Sequence, residues 1–312
     1  MADATAREKP KTMNWSPSGP SLIVEGDNLA ALCSLPDETF RLIYIDPPFN
    51  TGKAQVRHSL KTIRSATGSR LGFKGERYET VKGAKVAYDD TFEDYWSFLQ
   101  PRLTEAWRLL TDDGTLYLHL DYREVHYAKV YLDSIFGSQC FLNEIIWAYD
   151  YGARARKKWP TKHDNILIYV KNPDNYIFNK HDVDSERYKT PGLAVEPSGR
   201  DFLPSDVWWH TIVSTMGKEK TGYPTQKPEG VLRRIIQASS KPGDWILDFF
   251  AGSGTTGAVA QALGRKFVLI DQNPASIATI KVRLSPHLRS SGDTQETVQF
   301  CASSSPERHL AG

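Results

Sequence analysis

The 312-residue chain is predicted to fold as an α/β protein. Three observations predict it. Short apolar runs such as Leu42-Ile43-Tyr44-Ile45 end in turn signals, as fully buried strands do. They alternate with stretches whose apolar residues recur at helical spacing. A glycine-rich segment, Gly252-x-Gly254-x-x-Gly257, stands between one such run and a helix.

Composition bounds the rest. Hydrophobic residues make up 40% and charged residues 24%, an ordinary globular balance. The length suits one large α/β domain with an embellishment, or two domains. Net charge is only +2, so any basic surface must be local. Cys33, Cys140 and Cys301 are odd in number and far apart, with neither a metal-type pair nor a disulfide framework. The first twenty residues lack an apolar signal core, and no run approaches the ~18 apolar residues of a membrane span. The expectation is a soluble cytoplasmic protein without a membrane partner.

Residues 1–20 are polar and expected to be loose. Leu22-Ile23-Val24 reads as a strand running into Gly26-Asp27, and Asn28 to Leu35 as a short helix. Leu42 to Ile45 is the next strand, closed by Asp46-Pro47-Pro48-Phe49. Two prolines cannot donate to a sheet ladder, so the strand stops there. Asp46 is thereby presented at a strand's carboxyl end, where open α/β sheets place ligands. A carboxylate, the Pro47 carbonyl and the Phe49 ring together suit an exocyclic amine on a planar heterocycle.

Residues 53–88 differ in kind. Nine lysines and arginines oppose only Glu76 and Glu79, a local balance of +7, and Gly68, Gly72, Gly75 and Gly83 break the pattern. This reads as a long basic insertion loop, suited to a polyanion or simply to solvent. Trp96, Leu99, Leu103, Trp107 and Leu110 then recur at helical spacing, with Pro101 marking a kink or a fresh start. Strand Thr115 to Leu120 follows, then a helix carrying Val125, Ala128, Leu132 and Ile135 that ends near Gly137.

Glu144 to Tyr149 and Asn165 to Val170 read as two more strands. Between them Arg154, Arg156, Lys157 and Lys158 interleave with Tyr151 and Trp159, as phosphate contacts and base stacking would require. From residue 172 to 222 periodicity fades, and an irregular inserted subdomain is expected. His210, beside Trp208 and Trp209, reads as a packed structural histidine.

Tyr223-Pro224-Thr225-Gln226-Lys227-Pro228 opens a helix whose stripe is Val231, Leu232, Ile235 and Ile236. Strand Trp245 to Phe249 leads into the glycine segment and its helix, and strand Lys266 to Ile270 ends in Asp271. Asn273-Pro274 starts a last helix to about Leu284. Residues 286–312 read as a disordered tail. Strand, glycine loop, helix, strand and acid form a nucleotide-binding pattern, in which an acid after the second strand takes ribose hydroxyls. Taken literally it also fits a dinucleotide-dependent dehydrogenase. Asp248, just before the loop, is unwelcome beside a pyrophosphate but suits an ammonium group. No Gly-Lys-Ser/Thr follows, which excludes a phosphate-cradling P-loop.

Asp46-Pro47-Pro48-Phe49, Thr225-Gln226-Lys227-Pro228 and Asp248-Phe249-Phe250-Ala251-Gly252-Ser253-Gly254-Thr255-Thr256 occur in that order. Over residues 21–285 this closely resembles the beta-group amino-methyltransferases of DNA, of restriction-modification type. The resemblance implies a Rossmann-like, mostly parallel seven-stranded sheet with one antiparallel strand, in circularly permuted order. The catalytic half (21–171) would precede the cofactor half (223–285), with target recognition at 172–222.

It further implies S-adenosylmethionine as cofactor and no metal. Asp46 and the Pro47 carbonyl, followed by Pro48, would accept hydrogen bonds from the target amine, and Phe49 would stack on the flipped base. Phe250, Gly252 and Gly254 would line the methionine end near Asp248. Asp271 would hold the ribose, Asp27 the adenine amine, and Thr225 and Lys227 the methionine carboxylate. The implied partner is double-stranded DNA, with a homodimer and a cognate restriction endonuclease left open. Adenine N6 is the first target, cytosine N4 the second, and a dormant DNA-binding partner the third reading.

Overall fold

Successive residues of the central strands face opposite helical layers, which is why the strands read as continuous apolar runs. The structure is a computed structural model that describes residues 15–50, 55–64, 70–71, 77–88, 94–150, 155, 157–183, 204–214, 217, 219–288 and 298–302. In chain order the first elements are β1 (Ser21–Glu25), α1 (Asn28–Ser34), β2 (Phe40–Ile45), β3 (Gln55–Arg64), β4 (Arg70–Leu71), β5 (Arg77–Tyr88), α2 (Tyr95–Leu109), β6 (Leu110–Leu120) and α3 (Val125–Phe136). They continue with β7 (Phe141–Ala148), β8 (His163–Val170), β9 (Val207–Trp209), α4 (Glu229–Ser239), β10 (Trp245–Asp248), α5 (Thr255–Ala262), β11 (Lys266–Asp271), α6 (Pro274–Leu288) and β12 (Val298–Ala302).

Leu22, Val24, Ile43, Ile45, Leu116, Leu118 and Val268 pack toward α1, α2 and α3. Their neighbours Ile23, Leu42, Tyr44, Tyr117, Phe267 and Leu269 pack toward α4, α5 and α6. The sheet order is β12-β1-β11-β10-β2-β6-β8-β7-β9. Its seven central strands are the expected ones, with β8 the antiparallel member. β9 and β12 extend the edges, each parallel to its neighbour. The two halves are not separate units, because β10 and β11 insert between β1 and β2.

Several expectations change. Segment 53–88 is not an irregular loop: β3, β5 and β4 form an antiparallel sheet of their own. Gly83, read as a breaker, lies inside β5 where the register shifts between the pairs His58–Lys85 and Leu60–Lys82. A bulge absorbs a glycine without ending the strand.

Nor is the tail wholly without structure, since α6 runs to Leu288 and 298–302 pairs with the otherwise open edge of β1. Residues 15–20 are anchored: Trp15 meets Trp245 edge-on at 4.9 Å, and Trp245 donates to the Pro17 carbonyl at 3.1 Å. α2 continues through Pro101, and Phe136 rather than Ile135 is the buried end of the α3 stripe. Within 172–222, Asn179 donates through its side chain to the carbonyls of Gln237 and Ser240, satisfying the end of α4. His210 packs its ring against Gly230 and its Nδ1 lies 2.8 Å from the Thr211 carbonyl oxygen, in keeping with a structural role.

Candidate active site

The two strands that carry the Asp46 and glycine motifs are neighbours, with Ile246 opposite Leu42 and Leu247 opposite Ile43. From β10 the sheet proceeds to β11 and β1, and from β2 it proceeds the other way to β6. This reversal is a topological switch point, where the outgoing loops diverge and leave a crevice. A cavity of about 310 Å³ occupies it, lined from one side by Asp46 to Phe49 and from the other by Asp248 to Ser253.

Asp46 lies one residue beyond β2. Its Oδ2 is ion-paired with Lys227 Nζ, joining the two halves across the cavity. Its Oδ1 is buried and has no hydrogen-bond donor, and His119 Nδ1 lies 3.7 Å from it. Pro47 is buried, and Pro48 and Phe49 are half-buried. The ammonium of Lys227 lies 5.2 Å from the Phe49 ring centroid. After Phe49 the chain turns sharply. Asn50 adopts φ +53°, and its amide donates to the buried Glu124 at 3.0 Å, a carboxylate that also accepts from Trp96 at 3.1 Å.

On the other side the glycine loop is built around two carboxylates. Asp248 accepts from the Phe250 amide at 3.0 Å and from the Thr256 hydroxyl at 2.6 Å. Burial pushes its carboxyl up to about 7, against those two bonds. Asp271 accepts from the amides of Gly252 and Asn273, each at 2.8 Å, and burial raises it too. Gly252 and Gly254 have φ of +50° and +73°, a left-handed conformation that only glycine adopts freely. At Gly257 a Cβ would come within 2.6 Å of Leu269 Cδ1, so the third glycine lets α5 pack on β11.

Thr225, Lys227, Asp248, Phe250, Gly252 and Asp271 all line the cavity. Gly254 and Asp27 do not line it. Asp27 does not face the cavity as expected, because its carboxylate caps α1 at Ala30 and pairs with Arg102, both at 3.0 Å. Its neighbours Gly26 and Asn28 line the cavity instead. Lys227, expected to be available for a ligand carboxylate, is held on Asp46. Arg154 and Arg156 lie outside the described residues. Lys157 and Lys158 are exposed, and Lys158 Nζ lies 5.7 Å from the Tyr122 ring, next to Arg123, whose Nε donates to the Phe49 carbonyl at 3.4 Å.

Sequence reasoning missed the buried polar partners. Arg102 binds Asn28 and Asp27, and Asn28 donates to the Phe249 carbonyl at 2.7 Å, tying α1 and α2 to the cofactor-side loop. His119, wholly buried, lies between Tyr44, Asp46 and Asp164. A signal existed for both: a lone polar residue inside an apolar strand or stripe. Among the described residues no cluster could hold a metal ion, and no helix is long and apolar enough to cross a membrane.

An open, mostly parallel sheet with a glycine loop and an acceptor carboxylate at its switch point is the architecture of Rossmann-like methyltransferases. Solved structures agree on the fold. PvuII DNA methyltransferase (cytosine-N4-specific) aligns over 92% of this chain and 97% of its own, with TM-score 0.60 and 14% identity. The putative DNA modification methylase TTHA0409 of Thermus thermophilus, solved with S-adenosyl-L-methionine, aligns over 92% and 100%, with TM-score 0.55 and 18% identity.

A family model described as DNA methylase, of the N6/N4 methyltransferases, matches residues 40–282, and the chain belongs to that family. It is 34% identical to the DNA adenine methyltransferase YhdJ of Escherichia coli K12 over 260 residues, 80% of this chain and 78% of that protein. It is 30% identical to the type II methyltransferase M.HpaI of Haemophilus parainfluenzae over 275 residues, 88% and 77% of the two chains. Its activity is that of a DNA methyltransferase and its cofactor S-adenosylmethionine, which removes the dehydrogenase reading.

Proposed function

We propose that this chain methylates the exocyclic N6 amine of adenine in double-stranded DNA. The observation that carries the reading is Asp46 Oδ1, a buried acceptor without a donor at the edge of a cofactor-sized cavity. Buried acceptors are normally satisfied, so such an oxygen is suited to a donor that arrives with the substrate. An amine inside a duplex cannot reach it, so the base must be flipped out. The relative named as a DNA adenine methyltransferase favours adenine over cytosine N4. Methylome sequencing of a host expressing the chain tests this: N6-methyladenine at a defined site is expected, and N4-methylcytosine would overturn it.

When bound, S-adenosylmethionine supplies an electrophilic methyl group on a sulfonium. The cavity fits such a cation, since Asp248 and Asp271 line it. Within this reading Asp248 faces the cofactor's ammonium, Asp271 its ribose, and Thr225, Phe250 and Gly252 its methionine end. Asp46 and the Pro47 carbonyl orient the target amine, and Phe49 offers its face to the base once Lys227 leaves it. A cognate restriction endonuclease belongs to the proposal through the likeness to M.HpaI.

Asp248 makes cofactor binding pH-dependent. A cationic ligand favours the carboxylate, so at pH below about 7 binding must expel a proton. Affinity is expected to weaken as pH falls from 7.5 to 5.5, approaching about tenfold per unit at the acid end. Calorimetry in buffers of different ionisation enthalpy should register the released proton, and Asp248→Asn should remove the dependence.

The basic segment is proposed to touch phosphates. Replacing Arg154, Arg156, Lys157 and Lys158 together should weaken binding to all DNA sequences alike. The slope of log affinity against log salt should become shallower by about 0.9 for each phosphate no longer neutralised. A changed site preference at constant slope would make these residues base readers instead.

A further inference from the structure

Methylating an amine requires that a proton leave. The nitrogen lone pair forms the new N–C bond, the C–S pair stays on sulfur, and one N–H proton must go elsewhere. Asp46 is the nearest base, but a carboxylate that keeps the proton is spent as an acceptor. The cavity wall behind it holds a second base. His119, on β6, is fully buried, with Nδ1 3.7 Å from Asp46 Oδ1 and 2.9 Å from the Tyr44 hydroxyl. Its Nε2 is 3.4 Å from Asp164 Oδ2 on β8, and the other oxygen of Asp164 accepts from Tyr149 at 3.1 Å.

We propose that His119, oriented by Asp164, is a proton relay that takes the proton of the target amine from Asp46. The inference rests on the assignment of Asp46 as the acceptor of that amine. It does not depend on which base carries the amine.

The relay requires one resting state of this cluster. Tyr44 is wholly buried, and burial, then the nearby Asp46, raises its hydroxyl far above the usual range, so it keeps its proton. In the resting state of the proposed relay that proton is given to His119 Nδ1 as the lone-pair nitrogen, leaving Nε2–H directed at Asp164. The same tautomer explains why Asp46 Oδ1 has no donor although a ring nitrogen is near. Asp46 Oδ1 and Nδ1 lie 3.7 Å apart with no hydrogen between them, and Nδ1 becomes free to take one when the Tyr44 hydroxyl turns its own hydrogen away.

When the amine's proton reaches Asp46 Oδ1, it can pass to Nδ1 as the Tyr44 hydroxyl rotates, so that Nδ1–H becomes the donor and the Tyr44 oxygen an acceptor. The resulting imidazolium then lies between two carboxylates, Asp46 and Asp164. Asp164 is suited to stabilise it. Burial pushes its carboxyl up, but the bond and charge of His119, then Lys227 and Tyr149, outweigh this and leave it below its ordinary value. The charged or titratable groups around the imidazole are therefore Tyr44 and Asp46 from the β2 side, Asp164 from β8, Tyr149 beyond β7 and Lys227 before α4. The ring edges otherwise meet Phe49 and Trp147, with centroids at 5.7 and 5.4 Å.

The test is single-turnover methyl transfer against pH, at saturating S-adenosylmethionine and DNA, on the full chain. A relay needs an unprotonated acceptor, so the wild type should lose rate at acid pH. Asp164→Asn is nearly isosteric and removes the charge that favours imidazolium. It should move the acid limb to lower pH and lower the plateau by at least tenfold. His119→Gln should lower the plateau by about 10², within the range of general acid–base effects, and remove the limb.

A rate loss in both variants with the limb unmoved would overturn the relay and leave His119 a packing residue. Unchanged rates, or a wild-type profile flat on the acid side, would overturn it equally. Asp46→Asn measured alongside separates the two readings: normal transfer there removes the Asp46 assignment, whereas lost transfer with unaffected His119 and Asp164 variants removes only the relay.

Discussion

Asp46→Ala should abolish methyl transfer while sparing the cofactor. The carboxylate is presented by β2, whereas the glycine loop that cradles a cofactor follows β10, and among the described residues no hydrogen bond joins the Asp46 side chain to that loop. Its partners are Lys227 on one oxygen and, in the proposed reaction, the target amine on the other. Loss of one such preorganised polar group costs on the order of 10²–10³ in rate by analogy with oxyanion-hole deletions. The cost rises if the group also positions the nucleophile.

Single-turnover transfer should fall by at least that order, with cofactor affinity by calorimetry within a few-fold of wild type. Asp46→Asn, which keeps an acceptor but leaves the half-buried Lys227 ammonium unpaired, should also be impaired. Near-normal transfer in the alanine variant would end the catalytic role of Asp46. Collapse of cofactor affinity would make Asp46 part of the cofactor's own site.

Gly252→Val is expected to lose cofactor binding by more than a hundredfold. The residue has φ +50°, which for a β-branched side chain costs about 1–3 kcal/mol where the surroundings hold it. A Cβ there meets the Tyr223 ring at 3.4 Å, and the valine methyls extend beyond it. They would lie beside Asp271, whose carboxylate accepts from the Gly252 amide, so the same change disturbs the acid proposed to hold the ribose. Calorimetry measures the loss, and circular dichroism should report an intact sheet. Gly264→Ala is the control: it carries the same kind of strain at φ +73°, with only Pro242 nearby at 3.8 Å. It should lower thermal stability and leave affinity unchanged. Equal losses in both would mean that strain, not the cavity, decides binding.

Local chemistry was readable wherever the backbone itself dictated it. Two prolines must end a strand, so Asp46 had to lie at a carboxyl end. Glycines before a helix had to mark a close approach, and the positive φ at Gly252 and Gly254 agrees. Gly83 misled because a glycine that breaks an isolated strand is tolerated at a bulge once a partner strand is present. The 298–302 strand was hidden for a related reason: its ladder partner, β1, lies at the other end of the chain. Asp27 was misplaced because sequence puts it after a strand without saying that Arg102, on a distant helix, would hold it.

Sequence by itself determined the class of fold, the three motifs and the family they belong to. Each rests on strand and turn chemistry within a dozen residues or on the order of such pieces along the chain. Tertiary structure alone decided what faces what. The insertion of β10 beside β2 brings Asp46 to Lys227, 181 residues away in sequence, and sets both at one crevice. The pairing of β6 with β8 sets His119 against Asp164, across 45 residues. Such contacts depend on sheet order and register, and a one-residue slip in either would turn the side chain to the other helical layer. That is why the acceptor could be named from its motif, whereas the partners of the histidine behind it were set only by the fold.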